Sequence, residues 1–158
     1  MNMDRIEKQV LLRAPRAKVW RALADSQAFG QWFGVKLKGQ FAPGARIPGQ
    51  VLHKGYEQCL FEITIERMEP ERLLSWRWHP HAIDPKIDYS AEPTTLVVFE
   101  LKEVAEGTLL TVVESGFEDI PMARRGEAYR GNEQGWAIQM GAIEKYVGQA
   151  DETTGAAS

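Results

Sequence analysis

The sequence predicts an α+β fold: a curved antiparallel β-sheet wrapped around one long C-terminal helix, with two short helices after the first strand. Three observations lead there. Arg13–Gly34 (RAPRAKVWRALADSQAFGQWFG) reads as the end of a strand followed by two short helices. Most of the chain beyond it, as far as Gly116, reads as β-structure. Near the C-terminus Trp136, Met140, Ile143 and Val147 recur at four, three and four residues, a stripe along one helix face.

The elements follow in order. Arg5–Leu12 alternates loosely, with Ile6, Val10 and Leu12 apolar, and reads as the first strand. Pro15 suits a first helical turn, where its missing N–H costs nothing. Val19, Trp20 and Leu23 then recur at helical spacing. Asp25 or Ser26 caps the next short helix, which closes at Trp32-Phe33. Val35–Phe41 reads as a strand, and Pro43-Gly44 as a turn. Pro48-Gly49 is expected to interrupt whatever structure Gly44–Lys54 adopts. Leu60–Met68 is a clear strand, with Phe61, Ile63 and Ile65 on one face. Glu69-Pro70-Glu71 forms a turn into Arg72–Trp78, whose Leu74, Trp76 and Trp78 share a face.

His79–Pro93 is a long loop with three prolines, and loops of this length are often functional. Thr94–Val104 and Gly107–Gly116, rich in Val, Leu and Thr, form a hairpin through Ala105-Glu106. Phe117–Arg125 connects to the long helix, expected from about Glu127 to Val147, with Gly131, Gly135 and Gly141 weakening it locally. Residues 1–150 read as one domain and Asp151–Ser158 as a disordered polar tail. An antiparallel sheet needs its apolar face covered. One apolar helix covers it, and a curved sheet leaves a gap beside that helix where a ligand fits.

Composition bounds the function. The 158 residues carry a net charge of −3, 44 % hydrophobic and 26 % charged residues, which is ordinary for a soluble globular protein. No basic face is implied, so no nucleic-acid partner is expected. The N-terminus has no apolar signal-peptide core and no run reaches membrane-spanning length. With Cys59 as its single cysteine, the chain has no intrachain disulfide and is expected to be cytoplasmic.

The arrangement of these blocks resembles the START-like, helix-grip superfamily (SRPBCC). Within it the chain is similar to the branch named after the activator of the heat-shock chaperone ATPase, in its small bacterial single-domain form. The resemblance rests on Ala14-Pro15-Arg16 with Val19–Leu23, on FGQWFG (Phe29–Gly34) and on PERLLSWRWHP (Pro70–Pro80). TVVESGF (Thr111–Phe117) and Gly135-Trp136 extend it over nearly the whole chain. The resemblance implies a cavity fold whose members bind lipids, hormones or polyketides, or cyclise or dehydrate substrates. Eukaryotic chaperone activators resemble this chain in their C-terminal domain only. The N-terminal domain that makes much of the chaperone contact has no counterpart here, so a chaperone partner is a subordinate expectation. A stress-related interaction protein belongs to the same third class. An oxidoreductase label sometimes attached to similar proteins is not supported: the sequence shows neither GxGxxG nor a cysteine quartet.

The expected function is binding of a small hydrophobic or aromatic molecule between sheet and helix. Its expected lining is Trp32, Phe61, Trp76, Trp78, Phe99, Glu114, Trp136 and Met140. The alternative is a cyclase, dehydratase or hydrolase acting on an aromatic or polyketide-like substrate, with Glu114 or His79 as acid or base. Glu114 shares a face with Leu110 and Val112, so it points inward if they do; the reversed register places it in water. Inward, it needs a partner or a raised pKa, with Arg124, Arg125, Arg130 and His79 as candidates. His53, His79 and His81 lack the spacing of a metal motif, and no metal or other cofactor is expected. Asp84 and Asp88 are read as part of a solvated, mobile lid. Asn132, Gln134 and Gln139 are read as solvent-facing amides, with ligand contact as the alternative. Arg124-Arg125 is read as a solvated charge pair, and Cys59 as a small buried hydrophobe.

Overall fold

A computed structural model of the chain describes residues 5–59, 61–84 and 86–148; element bounds are those of the backbone. Strand β1 (Arg5–Leu12) leads into helices α1 (Arg16–Ala24) and α2 (Ser26–Phe33). Strands β2 (Val35–Leu37), β3 (Arg46–Val51), β4 (Leu60–Glu69), β5 (Leu73–Trp78), β6 (Thr95–Val104) and β7 (Gly107–Ser115) follow. A short 3₁₀ turn (Phe117–Asp119) precedes the long helix α3 (Met122–Ala157). All strands pair antiparallel in one seven-stranded sheet of order β1-β7-β6-β5-β4-β3-β2. The sheet is curved and open, and α3 lies against it, as the element order predicts.

Each helix is stopped and started by identifiable residues. Asp25 caps α2, its Oδ1 accepting from the Ala28 N–H at 2.9 Å. Gly34 closes α2 in the left-handed region (φ 89°), and a Cβ there would lie 2.4 Å from His53 Nε2. That close approach fixes His53 against the end of the helix.

Three boundaries differ from the sequence expectation. Strand β2 ends at Leu37 rather than Phe41. Residues 46–51 form a strand despite Pro48-Gly49. A strand residue's N–H and C=O point to the same neighbour in an antiparallel ladder. The Pro48 carbonyl accepts from the Lys38 N–H, just past the last β2–β3 pair, Leu37 with Gly49. The N–H that proline lacks would therefore point beyond the end of β2, where no strand needs it. Helix α3 begins at Met122, directly after Pro121, several residues before the expected start. The expectation of a disordered tail at Asp151–Ser158 falls outside the described residues.

Inward-facing side chains form one apolar cluster. Ile63, Ile65, Leu74, Trp76, Val97, Phe99, Leu110 and Val112 come from the sheet, and Trp136, Met140, Ile143 and Val147 from α3. Alternation along β7 is strict: Thr108, Leu110, Val112 and Glu114 are buried while their neighbours are partly exposed. The register therefore turns Glu114 inward. Among the described residues no helix is long and apolar enough to cross a membrane.

Candidate functional site

Glu114 sits on the inner face with no solvent exposure. The register explains its neighbours. Val97 of β6 lies opposite Glu114, and Thr95, two residues away on the same face, lies opposite Trp78 of β5. Trp78 Nε1 donates to Glu114 Oε2 at 2.8 Å, and Thr95 Oγ1 reaches the same oxygen at 2.5 Å. From α3, Trp136 Nε1 donates to Oε1 at 2.8 Å, and Asn132 Nδ2 donates to both oxygens at 3.0 and 3.1 Å. Asn132 and Trp136 are one helical turn apart and so meet the carboxylate together.

Burial pushes the Glu114 carboxyl above its ordinary pKa, and the hydrogen bonds from Thr95, Trp78, Trp136 and Asn132 oppose that rise. None of the candidate partners Arg124, Arg125, Arg130 or His79 reaches it; neutral donors take their place. Both oxygens are occupied by protein groups, so the carboxylate holds Trp78 and Asn132 in position.

Beside this cluster opens a cavity of about 210 Å³. Phe33 at the end of α2, Phe61 of β4 and Trp78 of β5 line its aromatic side. Their rings contact one another, with centroids 5.9 to 6.1 Å apart. Val35 and Val51 add aliphatic surface, and Asn132 and Gln139 of α3 add polar groups. Gln139 Nε2 donates to the Phe33 carbonyl at 3.0 Å, and His53 Nε2 faces the same carbonyl at 3.4 Å. Both meet one of the carbonyls a helix C-terminus leaves without an intrahelical partner.

The loop after β5 contributes His79, His81, Ala82 and Ile83 to the cavity lining. Arg124, at the start of α3, pins this loop. Its Nη2 lies 2.7 Å from Glu92 Oε1, its Nη1 donates to the Pro80 carbonyl at 2.9 Å, and its guanidinium stacks 4.7 Å from the Tyr89 ring centre. Arg124 is thus a largely buried clasp and not a solvated charge, because the loop folds back across it. His79 Nε2 bonds the Glu92 carbonyl at 3.1 Å, and Cys59 Sγ donates to the Ile83 carbonyl at 3.2 Å. Burial raises the Cys59 thiol pKa. Tyr89 is buried, and its hydroxyl accepts from the Asp84 N–H at 3.2 Å. Asp88 is bonded by the backbone and hydroxyl of Ser90, which lowers its pKa.

Of the residues expected to line a ligand site, Phe61 and Trp78 line the cavity, and so do His53, His79, His81 and Cys59 from the other candidates weighed in the sequence. Trp136 packs behind its wall, 5.9 Å from Trp78 and 6.0 Å from Phe33 between ring centres. Glu114 lies beneath, joined through Trp78 and Asn132. Trp76, Phe99 and Met140 belong to the packed core, and so does Trp32, whose Nε1 bonds the Ala22 carbonyl at 2.8 Å. Asn132 and Gln139, expected as solvent-facing amides, line the cavity instead, because the stripe side of α3 carries them; Gln134 is exposed as expected. Their spacing about Trp136 was the signal, since residues four before and three after it share its face. Phe33, Val51 and Tyr56, which the sequence reading did not offer, also line the cavity, and only the chain's path brings them there. Among the described residues no group of three His, Cys, Asp or Glu side chains converges as a metal site would.

The architecture recurs in solved structures. Protein MLL2253 from Mesorhizobium loti is 24 % identical with a TM-score of 0.73, over 92 % of this chain and 97 % of that one. DynU16, a protein of the dynemicin biosynthetic locus, is 27 % identical with a TM-score of 0.72 over 93 % of this chain. This chain spans about half of DynU16, 48 % of its length. The Aha1 dimer from Colwellia psychrerythraea shares the fold at 15 % identity and a TM-score of 0.67, over 90 % of this chain and 95 % of that one. No curated protein matches the sequence. The profile of the Activator of Hsp90 ATPase homolog 1-like protein family matches residues 13–148, and with that match over most of its length the chain belongs to this family.

Proposed function

We propose that this protein binds a small molecule built on a single aromatic ring, in the cavity bounded by Phe33, Phe61, Trp78, Asn132 and Gln139. One observation carries the reading: an aromatic-walled cavity of about 210 Å³ with a few fixed polar groups and loop residues in its lining. A dry apolar cavity of ~150 Å³ takes up benzene, so this volume suits one substituted ring. Apolar walls with few polar groups are the usual make-up of a ligand pocket. The family's fold is compatible with ligand binding, and the place of DynU16 in a biosynthetic locus points the same way.

Glu114 acts here as a support. It aims the Trp78 ring and the Asn132 amide at the cavity while remaining covered itself. A thermal-shift series with single-ring aromatics, followed by tryptophan quenching, tests the proposal. A ligand at a hundred times its Kd stabilises the protein by about 2.7 kcal/mol. Val51→Trp, which fills the cavity, is expected to abolish both signals. Binding that survives Val51→Trp, or no binding across the series, overturns the reading.

A further inference from the structure

The hydrogen-bonding groups around the cavity are unequal in kind. Trp78 and Asn132 direct N–H groups at Glu114. Gln139 directs one at the Phe33 carbonyl. A carbonyl only accepts, so the ring nitrogens facing it must donate: His53 Nε2 to Phe33 and His79 Nε2 to Glu92. In a neutral imidazole the other nitrogen is then an acceptor. Cys59 likewise commits its S–H to Ile83. What remains is Nδ1 of His53 and of His79, the carbonyl oxygens of Asn132 and Gln139 and the Tyr56 hydroxyl, which can donate or accept, against one leftover N–H on Gln139, since the Asn132 amide already meets both Glu114 oxygens. The excess is of acceptors.

Charge has the same sign. No Lys or Arg lines the cavity. The nearest clasp, Arg124, is paired with Glu92 and turned to the loop. Glu62 directs its carboxylate to Arg46, 3.6 Å away. Beneath the aromatic wall, Glu114 is held by neutral donors alone, so its hydrogen-bond partners bring no cation to the cavity. The ring faces of Phe33, Phe61 and Trp78 themselves favour a cation over an anion.

From this we infer that the ligand of this cavity is a hydrogen-bond donor, a small arylalkylamine carried as its ammonium, and that arylalkyl carboxylates of the same shape are rejected. The inference rests on the proposed binding function and narrows its ligand class. An ammonium offers three donors to the acceptors left over around the cavity. A carboxylate offers only acceptors to acceptors and leaves buried groups unpaired, which is where recognition sites discriminate most strongly.

The test pairs phenethylamine with phenylpropionate, which share a ring and a two-carbon spacer and differ in the sign of the head group. Calorimetric titration of the full chain at neutral pH should show the amine binding about tenfold or more tighter than the acid. Acid binding equal to or tighter than amine binding overturns the donor rule but leaves an aromatic-binding cavity standing. If neither binds while neutral toluene does, the donor rule fails and the cavity reading survives. If none of the three binds, both fail. Gln139→Lys supplies the converse: its ammonium can still reach the Phe33 carbonyl, so the fold is kept while the cavity gains a cation. Amine affinity should fall by about tenfold or more and the preference should move to the acid. An unchanged preference in a variant of unaltered melting temperature overturns the inference.

Discussion

Trp136 donates its indole N–H to Glu114 over 2.8 Å, joining the gripping helix to the sheet through an acid that has no solvent exposure. The carboxylate also receives Trp78 from β5, two strands away across β6, so a single side chain sets both the height of α3 above the sheet and the orientation of the cavity wall. The two indoles and the Asn132 amide have no other acceptor in their hydrogen-bond sets.

Removing that acceptor should therefore cost more than the hydrogen bonds themselves. Glu114→Ala strands several buried donors, each worth about 1–3 kcal/mol. We expect a loss of about 3 kcal/mol or more in urea unfolding. A loss under about 1 kcal/mol would mean that water or a shifted helix satisfies those donors.

The same residue predicts a pH dependence. Burial raises the folded pKa of Glu114 above its ordinary value. Between the unfolded and folded values the folded state holds the extra proton, so stability falls as pH rises through that window. Glu114→Gln removes this contribution. Urea unfolding across mildly acidic to neutral pH should give a flatter profile for the variant than for the parent; parallel profiles would contradict the assignment.

Trp76 provides a contrast on the same strand. Its Nε1 is buried and has no hydrogen-bond partner. Trp76→Phe deletes an unsatisfied donor along with some packing, whereas Trp136→Phe takes a donor from Glu114. Both remove similar ring area, so the Trp136 variant should be the less stable by about 1 kcal/mol or more. Equal losses would show that packing alone governs both sites.

The loop over the cavity depends on Arg124. Arg124→Met keeps the aliphatic packing and removes the Glu92 pair and the bond to the Pro80 carbonyl. Hydrogen bonds to a charged group contribute about 1.5–3 kcal/mol. We expect a loss in that range, with faster amide exchange confined to residues 79–93 and the sheet unaffected.

Gly131 gives a second route to the same loop. A Cβ at 131 would lie 2.7 Å from His81 Nδ1, and His81 itself has a positive φ of 53°. Gly131→Ala gains about 1 kcal/mol of helix propensity while displacing the imidazole. Global stability should therefore change little, while protease cleavage near His81 accelerates. Unchanged cleavage would mean the ring moves aside within a closed loop.

Much of this was legible in the chain. The apolar stripe of α3, the alternation of Phe61, Ile63 and Ile65, and the run Leu110, Val112, Glu114 each carry a period that dictates a face. Periodicity is local, so it predicts which side chains turn inward, and it made Glu114 a candidate inward acid. It does not say what they meet. Trp76 and Trp78 share a face by period, yet Trp76 is fully buried in the core while Trp78, the last residue of β5, reaches the cavity wall. Pro48 read as a breaker because its effect depends on which neighbour its missing N–H would face.

Sequence alone determined the fold class, the gripping helix and the aromatic inner face, since hydrophobic burial acts through patterns a few residues long. Tertiary structure decided the partners. Neutral donors rather than arginines hold Glu114; Arg124 clasps a loop instead of facing water; and Phe33, Val51 and His53 reach the cavity from distant segments. Those outcomes rest on register and loop path, which bring together groups far apart in the chain and so leave no local pattern to read.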